Sequence, residues 1–353
     1  MEGPSQSAPA RATATEESII DICPGTSLRP HSVEHGRATF GGWLELRWKD
    51  TNWQAFGISC TRRVLPGASS LTKTDALDVQ RWTRDGIRFG DIRAPEILQV
   101  DAPTKTFIRD RLDQLEEYIA DQTESVSYKR IALFVEEEVE LEDRDQKTWD
   151  TINRRIALYR SIKATYTSML AREDCVFGLV MAASGLRALR ETAGWNAGKS
   201  AYLKDQASNL DWALVKPRYG VARSNKIPAR TEKYNILPEE HFLTEFNLSA
   251  LKHNDTLYKV GAQSGVTRGW VSRSLAGGRE DVVVTMEHTI VVGQNQCVVA
   301  SGDSDSLVTN IGGDVVGLLF GGNDAQDRGY FTAAKNLVQD IKNYTGATDV
   351  RVK

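Results

Sequence analysis

The chain has 353 residues, with 44 Lys and Arg against 47 Asp and Glu, a formal charge of −3, and 41% of its residues are apolar. A near-neutral balance gives no electrostatic reason to expect nucleic acid as a partner, and the composition is that of an ordinary globular chain of about two domains' worth rather than a disordered or fibrous one. Cys23, Cys60, Cys175 and Cys297, and His31, His35, His241, His253 and His288, are scattered without any paired ligand spacing, so no metal or cofactor is expected.

Residues 1–20 are rich in Ser, Ala, Pro, Thr and Glu and read as a disordered tail. They hold no apolar core of a secretion signal, and no run in the chain is long enough to span a bilayer. These points predict an intracellular protein, cytoplasmic or in another reducing compartment, with free thiols and no membrane partner.

From Gly36 the pattern turns to short β-type segments. Ala38–Trp48 and Trp53–Val64, split by the polar Lys49-Asp50-Thr51-Asn52, predict a hairpin. A Gly, Ser and Thr-rich stretch follows to near Pro103. Residues 104–174 differ. Ile108, Leu112, Leu115 and Ile119 form one helical stripe, and Trp149, Ile152, Ile156, Tyr159, Tyr166 and Leu170 form another, broken at Lys163. Between them Glu136–Asp145 carries seven acids and one base, and residues 101–174 together hold 17 acidic and 12 basic residues. An acidic helical element is thus set against a mildly basic remainder. Each stripe is short, which predicts an antiparallel helix hairpin packing on itself, with a candidate self-association or docking surface on its acidic face.

Strand signals return at Val176–Ala182, Trp212–Lys216, Tyr258–Val260, Trp270–Ser272, Val282–Met286, Thr289–Val292, Leu307–Thr309 and Val315–Phe320. Closely spaced short strands with glycines at their ends predict a Greek-key sandwich or barrel. Apolar Leu337, Val338, Ile341 and Tyr344 predict a final helix over Ala333–Tyr344, closed by Gly346.

The stretch Ser301-Gly302-Asp303-Ser304-Asp305-Ser306-Leu307-Val308 carries the chemistry. A Gly-Asp-Ser turn leading into an apolar strand can present a serine nucleophile, and the glycine keeps backbone N–H groups open to an oxyanion. Five further segments accompany it in order. They are Ala38-Thr39-Phe40-Gly41-Gly42-Trp43-Leu44, Phe56-Gly57-Ile58-Ser59-Cys60-Thr61-Arg62-Arg63-Val64, Ala182-Ala183-Ser184-Gly185-Leu186-Arg187 with Leu210-Asp211-Trp212-Ala213-Leu214-Val215, Lys259-Val260-Gly261 with Ser264-Gly265-Val266-Thr267-Arg268-Gly269, and Gly317-Leu318-Leu319-Phe320-Gly321-Gly322. Together, over about residues 20–350, this order resembles the trypsin-like serine protease domains of fungal genomes.

The resemblance implies a mainly β fold of two six-stranded antiparallel Greek-key barrels. Residues 21–103 and 175–250 would form the first barrel and linker, 104–174 the helical insertion, and 251–353 the second barrel with a C-terminal helix. It also implies Ser304 as nucleophile, Asp211 as the triad carboxylate, the N–H groups of Gly302 and Ser304 as oxyanion hole, and Val298 at the base of a specificity pocket. The histidine position departs from the pattern: it holds Arg63, with Arg62 before it. A guanidinium stays protonated and cannot take a proton from serine. Arg63 is suited instead to pair with Asp211 or Asp305. A second departure is Asp305, where the resemblance would have glycine; its charge would oppose a developing oxyanion and its Cβ would restrict the turn. The expectation is therefore a protease-like protein without turnover, acting by binding a protein or peptide partner or as a scaffold. The alternative is a working serine endopeptidase that uses Ser304 and Asp211 with another base.

Overall fold

The computed structural model describes residues 21–33, 37–67, 71–172, 175–190, 207–218, 222–227, 241–272, 276–280, 283–291, 299–323 and 327–353. The tail 1–20, His35, Cys297 and Val298 lie outside them. The described part is mainly β, with seven helices.

Six antiparallel strands close a barrel. In ring order they are Gly265–Val271, Thr256–Gly261, Leu307–Thr309, Val315–Asn323, Arg328–Ala333 and Val283–Val291, and the last returns to the first through Trp270↔Val291 and Val271↔Ile290. Leu257, Val271, Ile290, Val299, Val308, Val316, Leu319 and Phe331 fill the interior. These are mostly small or β-branched side chains, as a narrow barrel requires.

The other large sheet has eight strands in the order Asp349–Val352, Gly42–Arg47, Gln54–Ser59, Ala213–Pro217, Val176–Ala183, Gln99–Asp101, Ser27–Pro30 and Ala38–Thr39. It curls into a half-barrel and does not close among the described residues, so the first of the two barrels is open and wider than six strands. Its concave side holds Phe40, Trp43 and Phe177, mutually edge-on with ring centroids 5.0–5.6 Å apart. Such pairs add about 0.5–1.5 kcal/mol each beyond their burial. A shared core joins the two sheets: Leu44, Phe56, Trp212 and Leu214 meet Val260, Leu307, Leu318 and Phe320, with Leu337 and Ile341 of the last helix.

The predicted hairpin is present as Gly42–Arg47 with Gln54–Ser59, registered Leu44↔Phe56, but the second strand stops at Ser59. Thr61–Val64 is a helical turn rather than more strand. Helix Lys73–Asp85 lies in the stretch noted only as rich in Gly, Ser and Thr; only Val79 and Trp82 are buried on it, too few for a legible stripe. Thr72 caps it, accepting the Asp75 N–H at 3.2 Å.

The insertion is three helices, Lys105–Glu124, Val126–Glu136 and Asp143–Ala171. Thr104 and Ser125 cap the first two. Ile108 near its start meets Met169 near its end, and Tyr118 faces Tyr159, so the long last helix runs back along the first. The two stripes pack on each other, as their spacing predicts. The final helix spans Ala334–Thr345, and Gly346, at φ +72°, ends it by donating its N–H to Lys342 O. Beyond it, Asp349–Val352 crosses back to pair with Gly42–Arg47.

Candidate functional site

Ser304 sits on the turn that enters the barrel strand Leu307–Thr309. Four contacts fix this turn through Asp303, which is fully buried. Its Oδ1 accepts the N–H groups of Gln263 and Ser264 at 3.1 and 3.0 Å; its Oδ2 accepts the Ala300 N–H at 2.8 Å and Lys259 Nζ at 2.6 Å. Burial works against the Asp303 charge, but the Lys259 ammonium and these donors hold its carboxyl below the usual carboxylate range. From the other sheet, Thr39 clamps the same turn. Its Oγ1 donates to Gly302 O at 2.8 Å and its N–H to Ser304 O at 3.1 Å.

The backbone here is bent as a Gly-Asp-Ser turn demands, with Gly302 at φ +106°. The N–H groups of Gly302 and Ser304 donate no hydrogen bond among the described residues. They are the two groups expected to face an oxyanion.

The strand Gln54–Ser59 brings the second half of the site. Because it ends in the turn Thr61–Val64, successive residues point to different partners. Arg62 donates from Nε to Asp211 Oδ2 and from its backbone N–H to Asp211 Oδ1 at 3.1 Å. Arg63 places Nη2 3.5 Å from Ser304 Oγ, at the long limit of a hydrogen bond. The ion pair expected for Arg63 is therefore made by its neighbour: the strand pattern carried through Val64 gave no sign that a helical turn would swing Arg62 onto Asp211. The side chain of Arg62 is 40% exposed while that of Asp211 is 1% exposed. Burial pushes the Asp211 carboxyl upward by more than Arg62 pulls it down.

Asp305 turns away from the outer face of the site. Its Oδ2 accepts the Ser59 hydroxyl at 2.6 Å, whereas Oδ1 is buried without a hydrogen-bond partner. Burial raises its carboxyl to about 6; the nearby Cys60 thiol and the Ser59 hydroxyl oppose the rise, and the nearby Asp211 charge adds to it. Asp305 also takes φ +85°, the left-handed conformation that favours glycine. Burial, with Asp211 and Asp305 beside it, pushes the Cys60 thiol well up, which keeps it protonated and unreactive.

The structure thus gathers Ser304, Arg63, Asp211, Asp305 and Gly302 at the junction of the two sheets. Val298 lies outside the described residues. Three of the described histidines engage other groups: His31 contacts Asp101 at 2.7 Å, His288 stacks on Phe331, and His253 meets Val271 O at 3.1 Å, while His241 Nε2 is buried without a hydrogen-bond partner. Sequence reasoning missed Ser59, Lys259 and the role of Arg62. For Lys259 a signal existed, a lone cation in the apolar strand run Thr256–Gly261.

No family model and no curated protein matches the chain. Among solved structures the chain is similar to bacterial serine proteases. A Nocardiopsis protease matches with TM-score 0.42 at 9% identity, over 95% of this chain and all of that one. Thermobifida fusca protease A gives TM-score 0.42 at 10% identity, over 91% of this chain and 96% of that one. A Cellulomonas bogoriensis chymotrypsin gives 0.31 at 13%, over half of this chain and 85% of that one. Likenesses this distant carry no weight for the chemistry, which rests on the geometry above.

Proposed function

We propose that the protein is serine-protease-like but does not turn substrate over, and that it acts by binding a protein or peptide at Ser304. One observation carries this reading: the group beside Ser304 Oγ is the guanidinium of Arg63, 3.5 Å away, while Asp211 is engaged by Arg62. A guanidinium offers donors only and does not accept the serine proton. Loss of the base from a serine triad costs about a millionfold in turnover, roughly 8–9 kcal/mol at the barrier. Asp305 adds a buried carboxyl one residue from the nucleophile position.

The acidic insertion supplies a second surface in this reading, for a partner or for self-association. An intracellular setting fits the free thiols of Cys23, Cys60 and Cys175; among the described residues no helix is long and apolar enough to cross a membrane. The test is exposure of the purified chain to a fluorophosphonate, followed by adduct mapping. No modification of Ser304 is expected; labelling there would instead favour the endopeptidase alternative.

A further inference from the structure

We propose that the site at Ser304 captures the free C-terminal carboxylate of a peptide, held by the Arg63 guanidinium together with the N–H groups of Gly302 and Ser304. This deepens the binding reading above and rests on it. Several donors at this site are unused. The two N–H groups have no acceptor among the described residues. Arg63 has a buried Nε without a hydrogen-bond partner, and its Nη2 reaches only the Ser304 hydroxyl at the long limit. Buried donors left unfilled are costly, and a cation beside two backbone N–H groups is the donor set a carboxylate satisfies.

The neighbouring acids do not cancel this. Asp211 is matched by Arg62, and Asp305 is turned inward onto Ser59. Replacing an imidazole by a permanent cation thus changes a site that handles a proton into one that holds an anion.

A strand edge argues for a peptide as the source of that anion. The strand Val315–Asn323 is flanked on both sides as far as Leu318, which pairs with Leu307. At Leu319 its carbonyl still accepts the Asp305 N–H at 2.7 Å, so the strand passes directly beside the Ser304 turn. Beyond that point Gly321, Gly322 and Asn323 are paired only with Tyr330, Gly329 and Arg328 among the described residues. A Cβ built at Gly321 meets nothing within 4 Å. An extended chain can add to such an edge, and its last residue would then reach the donors around Ser304.

The experiment compares octapeptides displayed on an array as free acids and as C-terminal amides, with affinities of bound sequences measured by fluorescence anisotropy on the full chain. Free acids should bind at least about tenfold more tightly than their amides, the loss expected for one charge-assisted contact. Arg63→Gln should erase that difference, and Arg63→Lys should keep part of it. Should Arg63→Gln fail to fold, the acid-to-amide ratio of the wild-type chain decides alone. Equal binding of acids and amides overturns the carboxylate assignment but leaves peptide binding at this site standing. No binding of either form overturns both. Acetate competing as strongly as the peptides themselves overturns the peptide as source, while fluorophosphonate labelling of Ser304 strikes only at the reading on which this one rests.

Discussion

Asp305 offers the sharpest thermodynamic test of the site. It is fully buried, and its carboxyl titrates at about 6 in the folded chain against 3.8 for an unperturbed group. Because the folded value is the higher one, the folded state binds the proton more tightly. The resulting stabilisation is full below about pH 4 and is lost as pH rises through about 6. A shift of about two pH units corresponds to about 3 kcal/mol in total, of which about 1.4 kcal/mol falls between about pH 5 and about pH 7.5. Asp305→Asn removes the titration while keeping an acceptor for Ser59. Urea unfolding of both proteins at the two pH values is the assay. The wild type should lose about 1.4 kcal/mol more than the variant on going to the higher pH, whatever the offset between them. Asp211 titrates in both proteins, and removal of a neighbouring negative charge eases its ionisation rather than its protonation. Parallel stability curves would refute the buried, partner-poor carboxyl described here.

Three further outcomes follow from packing. Lys259→Met leaves the buried Asp303 without its ammonium partner and should cost about 3–5 kcal/mol in urea unfolding, because the remaining charge is uncompensated; a loss under about 1 kcal/mol would contradict the pair. Asp340→Asn weakens the link that ties the last helix to Trp212 Nε1 at 2.8 Å and Arg187 Nη2 at 2.9 Å, and should cost about 1.5–3 kcal/mol by the same measurement. Gly86→Ala puts a Cβ 2.5 Å from Ala183 O at a φ of +77°, and should lower the thermal midpoint by more than the few degrees that about 1 kcal/mol represents in a chain of this size.

What could be read in the sequence was local. The helical stripes of the insertion, the hairpin across Lys49–Asn52, the Gly-Asp-Ser turn and the glycine after the last helix each depend on residues within a few positions of one another, and each is present. What escaped was set by distant partners. Helix Lys73–Asp85 shows only Val79 and Trp82 to the core, because one narrow face packs on the curled sheet. The strand Asp349–Val352 finds its partner about 300 positions away, with Arg351 bonded to Glu45 at 2.9 Å. Among the described residues the eight-stranded sheet does not close, and its strands run from two residues to eight. No periodicity within one strand encodes that.

The pair Arg62 and Arg63 shows most clearly how a local misreading alters the chemistry. In a serine triad one imidazole touches both the carboxylate and the hydroxyl, and the proton moves through that single ring. Here two successive residues divide the contacts: Arg62 takes Asp211 and Arg63 takes Ser304. The division follows from Thr61–Val64 being a helical turn, since neighbouring residues on a helix point about 100° apart. Arg63→His would therefore face Ser304 with no carboxylate behind it, because Asp211 stays held by Arg62. Fluorophosphonate reactivity should remain absent in Arg63→His, and also when Asp305→Gly is added. Reactivity should appear only when Arg62 is replaced as well, for example by Ala, so that Asp211 is released to orient the new imidazole. Restoration by Arg63→His alone would mean that Asp211 reaches past Arg62, and the division of contacts drawn from these distances would be wrong.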